Sequence, residues 1–149
     1  RTRKEAKEKT FESENMEDAL IGKRFLLVED NEINREIGKE MLFALGADVE
    51  IAVNGQEACQ KFEEAGRGHY SAILMDIQMP VMNGYEASSE IRRMKKCKGD
   101  EIPIIAMTAN VFAEDVEAAR KAGMNGYIGK PVLVEELYET LKETCAVLQ

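Results

Sequence analysis

The chain has 149 residues, 44% of them hydrophobic, enough for one domain with a real core plus some extra chain. With 28 acidic and 20 basic residues it carries a formal charge of −8, which works against a grip on nucleic-acid phosphates, so no direct nucleic-acid partner is expected. Three widely spaced cysteines, Cys59, Cys97 and Cys145, contain no CxxC pair and indicate neither a disulfide framework nor a zinc site. Such cysteine usage suits a reducing cytoplasm, and no apolar run approaches the roughly 20 residues of a membrane span, so no membrane contact by this segment is expected, although a parent chain could be membrane-anchored.

Residues 1–22 interleave both charge signs with scattered apolar positions and read as a linker or tail; residues 23–149 read as the domain. From Lys23 onward, short apolar runs alternate with amphipathic stretches. Strands are predicted at Arg24–Val28, Asp48–Ala52, Tyr70–Met75, Ile102–Met107 and Gly126–Gly129. The first, third and fourth are apolar nearly throughout, as in a parallel sheet covered on both faces. DVEIA alternates and suits an edge. Ile33, Ile37, Met41, Leu42 and Leu45 form a helical stripe that stops at Gly46. Asn54 caps a helix carrying Ala58 and Phe62, Gly84 leads into one carrying Ala87 and Ile91, and Val111–Ala122 ends at Gly123. Leu133, Leu137 and Leu141 form the last stripe. The expected fold is a doubly wound α/β sandwich with five parallel strands.

In such a sheet the functional crevice lies beyond the carboxyl ends of the strands. Strand one is followed by Glu29 and Asp30, strand three by Asp76, strand four by Thr108 and strand five by Lys130. Each alone suits a turn, a cap or a solvated charge. Together they place three carboxylates on one rim, and carboxylates so close stay ionised cheaply only beside a cation. Lys130 and a divalent ion would bring the sum to zero. Hard oxygen ligands without His or Cys favour Mg²⁺. His69, in GRGHY, reads as a solvated loop residue.

The motifs VEDN (Val28–Asn31), MDIQMPVMNG (Met75–Gly84), MTAN (Met107–Asn110) and YIGKP (Tyr127–Pro131) strongly resemble those of response-regulator receiver domains of two-component signalling, over about Lys23–Leu148. The longer forms VEDNEINREI and MTANVFAEDVEAARKAGMNGYIGKP look most like receivers of hybrid sensor histidine kinases. The resemblance implies a flavodoxin-like (βα)5 fold with strand order 2-1-3-4-5. It implies that Asp76 accepts a phosphoryl group from a phosphohistidine on a histidine kinase or histidine phosphotransfer domain. Asp30, Asp76 and the backbone carbonyl of Gln78 would ligate Mg²⁺, with Glu29 acting mainly through a metal-bound water. Thr108, the Ala109 backbone and Lys130 would hold the phosphoryl group. Thr108 and Tyr127 would form a switch, with Gln78 and Asn110 tuning hydrolysis. A cis Lys130–Pro131 bond is implied. A downstream protein is expected on the face of helix four, strand five and helix five, roughly Val111–Leu148.

Other readings make different predictions. A haloacid-dehalogenase-like Mg²⁺ phosphohydrolase usually carries a second Asp two residues past its nucleophile, where this chain has Gln78. A flavin binder would place a phosphate against the acids of EDNEIN, which repel it. An interaction module with a relic acidic rim would fail to phosphorylate. No Walker sequence is present. A stand-alone single-domain regulator remains the alternative to a hybrid-kinase piece.

Overall fold

A computed structural model describes residues 20–109 and 113–147. Five parallel strands are ordered β2-β1-β3-β4-β5: β1 Arg24–Val28, β2 Asp48–Ala52, β3 Ala72–Asp76, β4 Ile104–Thr108 and β5 Gly126–Gly129. The helices are α1 Glu32–Ala44, α2 Gly55–Ala65, α3 Gly84–Arg92, α4 Ala113–Lys121 and α5 Val134–Val147, with a 3₁₀ turn at Lys95–Cys97.

Side chains alternate across a strand, and here both faces are covered. Phe25, Leu27, Leu74, Ile105 and Met107 pack with Leu42 of α1, its C-cap Leu45, and Leu137 and Leu141 of α5. Leu26, Val28, Ile73, Met75, Ile104 and Ala106 face the other way, against Ala58 and Phe62 of α2, Ala87 and Ile91 of α3 and Ala119 of α4. That two-sided burial is why β1, β3 and β4 read as continuous apolar runs. Leu20 is buried against the α1–α5 side and its N–H donates to Leu45 O at 3.2 Å. Residues 1–19 of the expected 1–22 linker lie outside the described residues, as do the expected Asn110 and the start of the predicted Val111–Ala122 helix.

Two apolar stripes differ from expectation. Ile33 and Ile37 are 70% and 47% exposed, and within α1 only Leu42 is buried, joined by Leu45 at the helix C-cap. Leu133 is 56% exposed and precedes α5, although Leu137 and Leu141 are buried as predicted. Periodicity marks one face of a helix, but not where that face runs past the edge of the sheet. β3 and β4 also begin two residues later and end one residue later than predicted, so Asp76 and Thr108 close their strands, paired with Met107 and Gly129.

The β3–α3 connection explains its own sequence. Asn83 caps α3 by accepting from the Glu86 N–H at 2.9 Å, and Glu86 returns a bond to the Asn83 N–H at 3.2 Å, a reciprocal box that satisfies two free helix-end donors. Gly84 is required by closeness: a Cβ there would stand 2.4 Å from the carbonyl oxygen of Asp76. The helix thereby starts directly against the end of β3.

Candidate functional site

Glu29 and Asp30 follow β1, Asp76 ends β3, Thr108 ends β4 and Lys130 follows β5, so one edge of the sheet collects them. Glu29 is nearly fully buried, its backbone N–H donating to Ala52 O at 3.0 Å, which continues the strand ladder beyond β1. Its carboxylate accepts from the Asn31 N–H at 3.2 Å and from Lys130 Nζ at 2.8 Å. Lys130 Nζ is also 3.1 Å from Asp76 Oδ1. One ammonium therefore bridges two buried carboxylates. The Lys130 N–H donates to Thr108 O at 2.8 Å, which ties the chain carrying that ammonium to the end of β4, and the Lys130–Pro131 bond is cis.

The electrostatics leave negative charge in excess. Burial, followed by the neighbouring Glu29 carboxylate, pushes Asp76 up to about 7, and Lys130 does not offset it. Burial also acts upward on Glu29, but Lys130, Asp76 and the Asn31 N–H together hold it below its ordinary value. For Lys130 burial acts downward, yet Glu29 and Asp76 prevail and keep it charged. Carboxylate oxygens of Glu29, Asp30 and Asp76 lie within 4.8 Å of one another, close enough to converge on one cation. These are hard oxygen donors with no His or Cys among them, which fits Mg²⁺.

Beside the carboxylates an open crevice of about 560 Å³ is lined by Ile77, Gln78, Met79, Pro80, Asn83, Tyr85, Thr108 and Asp115. Thr108 is 9% exposed at its wall, and Ala109, which follows it, is exposed. Gln78 is exposed two residues past Asp76. Tyr127 stands apart from this group, on β5 opposite Ala106 and 42% exposed. On the other side of Lys130, a groove between α1 and α5 is lined by Ile37, Gly38, Leu74, Met107, Val132 and Leu137, with Glu29 and Lys130 in its wall.

The sequence reading missed Arg35. Its Nη1 donates to the carbonyl oxygens of Glu29 at 3.1 Å and Asp30 at 3.0 Å. Its only trace in the sequence is a cation one helical turn into α1, facing back toward its start. His69 is also not a free loop side chain: it contacts Arg24 Nη1 at 3.0 Å and Glu50 Oε2 at 2.7 Å at the opposite end of the sheet.

Comparison with known proteins agrees with this arrangement. The profile of the response regulator receiver domain matches residues 25–142. Hybrid signal transduction histidine kinase L of Dictyostelium discoideum is 41% identical over 133 residues, covering 89% of this chain and 8% of that kinase. The chain thus spans less than a tenth of that relative's length. Among solved structures, the receiver domain of a Pseudomonas aeruginosa sensor histidine kinase, with a magnesium ion coordinated in its active-site cleft, is 41% identical at a TM-score of 0.75, covering 84% of this chain and 98% of that one. The receiver domain of Ssk1 of Saccharomyces cerevisiae, in a co-crystal structure with the histidine phosphotransfer protein Ypd1, gives the same fold, the match being 32% identical at a TM-score of 0.77 and covering 87% of this chain and 92% of that one. The chain belongs to the response regulator receiver domain family.

Proposed function

We propose that Asp76 accepts a phosphoryl group from the phosphohistidine of a histidine kinase or phosphotransfer protein, and that the chain is the receiver portion of a hybrid sensor histidine kinase. The carrying observation is the convergence of the Asp76 carboxylate with Glu29, Asp30 and Lys130 at the open end of the sheet. Glu29, Asp30 and Asp76, with the backbone carbonyl of Gln78, would hold Mg²⁺. When bound, that ion offsets charge on the transferring group and favours the ionised form of Asp76.

In the transfer, an Asp76 carboxylate oxygen attacks phosphorus, the P–N bond to the donor imidazole breaks, and the imidazole leaves, taking its proton from solvent. Lys130, already 3.1 Å from Asp76 Oδ1, supplies positive charge where phosphoryl oxygens arrive. The Thr108 hydroxyl, in the crevice wall, and the Ala109 N–H would donate to the same group. Phosphorylation replaces about one negative charge on Asp76 with about two, drawing Lys130 and Thr108 inward. Because the Lys130 N–H is bonded to Thr108 O, that pull acts on β4 and β5 together. Tyr127, on β5 opposite Ala106, would respond, and a phosphorylation-dependent partner would bind the face of α4, β5 and α5. An open groove there is lined by Tyr127, Glu135, Glu136, Glu139 and Glu143.

The test is to incubate the chain with a phosphorylated histidine phosphotransfer protein and Mg²⁺, reduce with borohydride and map the peptides. Homoserine at position 76 is expected, since borohydride reduces an acyl phosphate. Label on any other residue refutes Asp76 as acceptor.

A further inference from the structure

Glu29 and Asp30 are held in different ways. The Glu29 carboxylate is fixed through its own oxygens, by Lys130 and the Asn31 N–H. The Asp30 carboxylate is exposed and has no hydrogen bond or ion pair among the described residues, yet it is one of the oxygens that converge with Glu29 and Asp76. What fixes it lies in the backbone. The carbonyls of Glu29 and Asp30 belong to the two peptide units on either side of the Asp30 Cα, and Arg35 Nη1 donates to both, at 3.1 and 3.0 Å. A guanidinium Nη carries two N–H groups, one for each carbonyl. Holding both peptide planes sets the backbone angles of Asp30, and with them the direction of its Cα–Cβ bond. Arg35 is itself half-buried on α1, whose start is capped by Asn31 accepting from the Asn34 N–H at 3.0 Å, so the guanidinium projects from an anchored turn.

We propose that Arg35 is a positioning residue of the cation site, acting through the Glu29 and Asp30 carbonyls to aim the Asp30 carboxylate at the ion. This rests on the reading of Glu29, Asp30 and Asp76 as a Mg²⁺ site. The sign of the effect separates positioning from simple charge. Arg35 is a cation beside a cation site, so removing its charge alone would tighten Mg²⁺ binding. Removing its hold on the two carbonyls would weaken it, as loss of an outer support of a metal ligand does.

The experiment is calorimetric titration of Mg²⁺ into the unphosphorylated chain at moderate salt, for the parent protein, Arg35→Gln, Arg35→Lys, Asp30→Asn and Asp76→Asn, with metal-free melting curves alongside. Arg35→Gln is expected to weaken Mg²⁺ binding by about tenfold at a temperature where the metal-free variant is fully folded. Unchanged or tighter binding in Arg35→Gln overturns the proposal. Should Arg35→Gln fail to fold, Arg35→Lys carries the test. It keeps the charge but loses the planar fork, so weaker binding supports the proposal and binding equal to the parent's overturns it. Failure of the underlying site is distinct: parent binding that Asp30→Asn and Asp76→Asn leave unchanged would place the ion elsewhere, whatever Arg35 does.

Discussion

Asp76 sits where two demands conflict. Its backbone closes a buried strand, so its carboxylate is desolvated, yet the proposed transfer requires the ionised form. Without metal, burial and Glu29 push it up to about 7. For an acid raised on folding, the native state binds the extra proton. Stability is then lost as pH rises from the unfolded value near 4 through about 7, and the full penalty persists above that. Asp76→Asn removes the penalty. In metal-free buffer at pH 8 it is expected to melt several degrees higher than the parent, with the gap closing towards pH 4. Saturating Mg²⁺ should reverse the order, since only the parent then gains strongly from the ligand. Melting curves with and without chelator check both signs. A metal-free Asp76→Asn that melts below the parent at pH 8 would mean that the buried carboxylates are not in excess.

At the scale of elements, helix α1 serves the rim with its first turns and the core with its last. Leu42 and Leu45 are buried, while Ile33 and Ile37 are largely exposed, and Ile37 lines the groove whose wall includes Glu29 and Lys130. A protein donor must bring its histidine to Asp76 and so covers the surroundings of the crevice, whereas a small donor touches only the crevice. Ile33→Asp and Ile37→Asp are therefore expected to slow phosphorylation by a histidine phosphotransfer protein by tenfold or more, consistent with a desolvated apolar contact worth about 1.4 kcal/mol or above. Phosphorylation by acetyl phosphate should stay within about twofold, and the ratio of the two rates is the readout. The same helix shows what its sequence conveyed. The stripe and its stop before Gly46, which has φ +89°, were legible because they are local. The exposure of Ile33 and Ile37 depends on how far α1 overhangs β1 and β3, which no local pattern carries. Asp76 and Thr108 were likewise identified as rim residues, but their place as the last ladder residues of β3 and β4 depends on pairing with Met107 and Gly129. Arg35 was unreadable because its partners are backbone carbonyls, which every sequence has.

Across the whole molecule the two ends of the sheet have different tasks. The carboxyl end gathers three carboxylates about one ammonium; the amino end is closed by an internally satisfied cluster. There Glu50 accepts from Tyr70 Oη at 2.7 Å and contacts His69 Nε2 at 2.7 Å, with Arg24 Nε 3.7 Å away. Burial raises Glu50 somewhat, but Tyr70, His69 and Arg24 outweigh it and leave it below its ordinary value. A lowered acid adds stability that is present above the unfolded value near 4.5 and lost as pH falls through the folded one. Glu50→Gln is expected to lower the melting temperature by a few degrees at pH 7 and to flatten the fall in stability below about pH 4.5, with Mg²⁺ binding unchanged. An unaltered acid limb in thermal melts would show that this end is not held by its charge.

Asp76 is the proposed acceptor, assisted by a metal ion. Intact-mass measurement after acetyl phosphate and Mg²⁺ addresses it most directly, with Asp76→Asn and chelator controls. A single phosphate adduct, lost in the variant and in chelator, is the predicted result. An adduct that persists in Asp76→Asn, or that forms equally well in chelator, would contradict it.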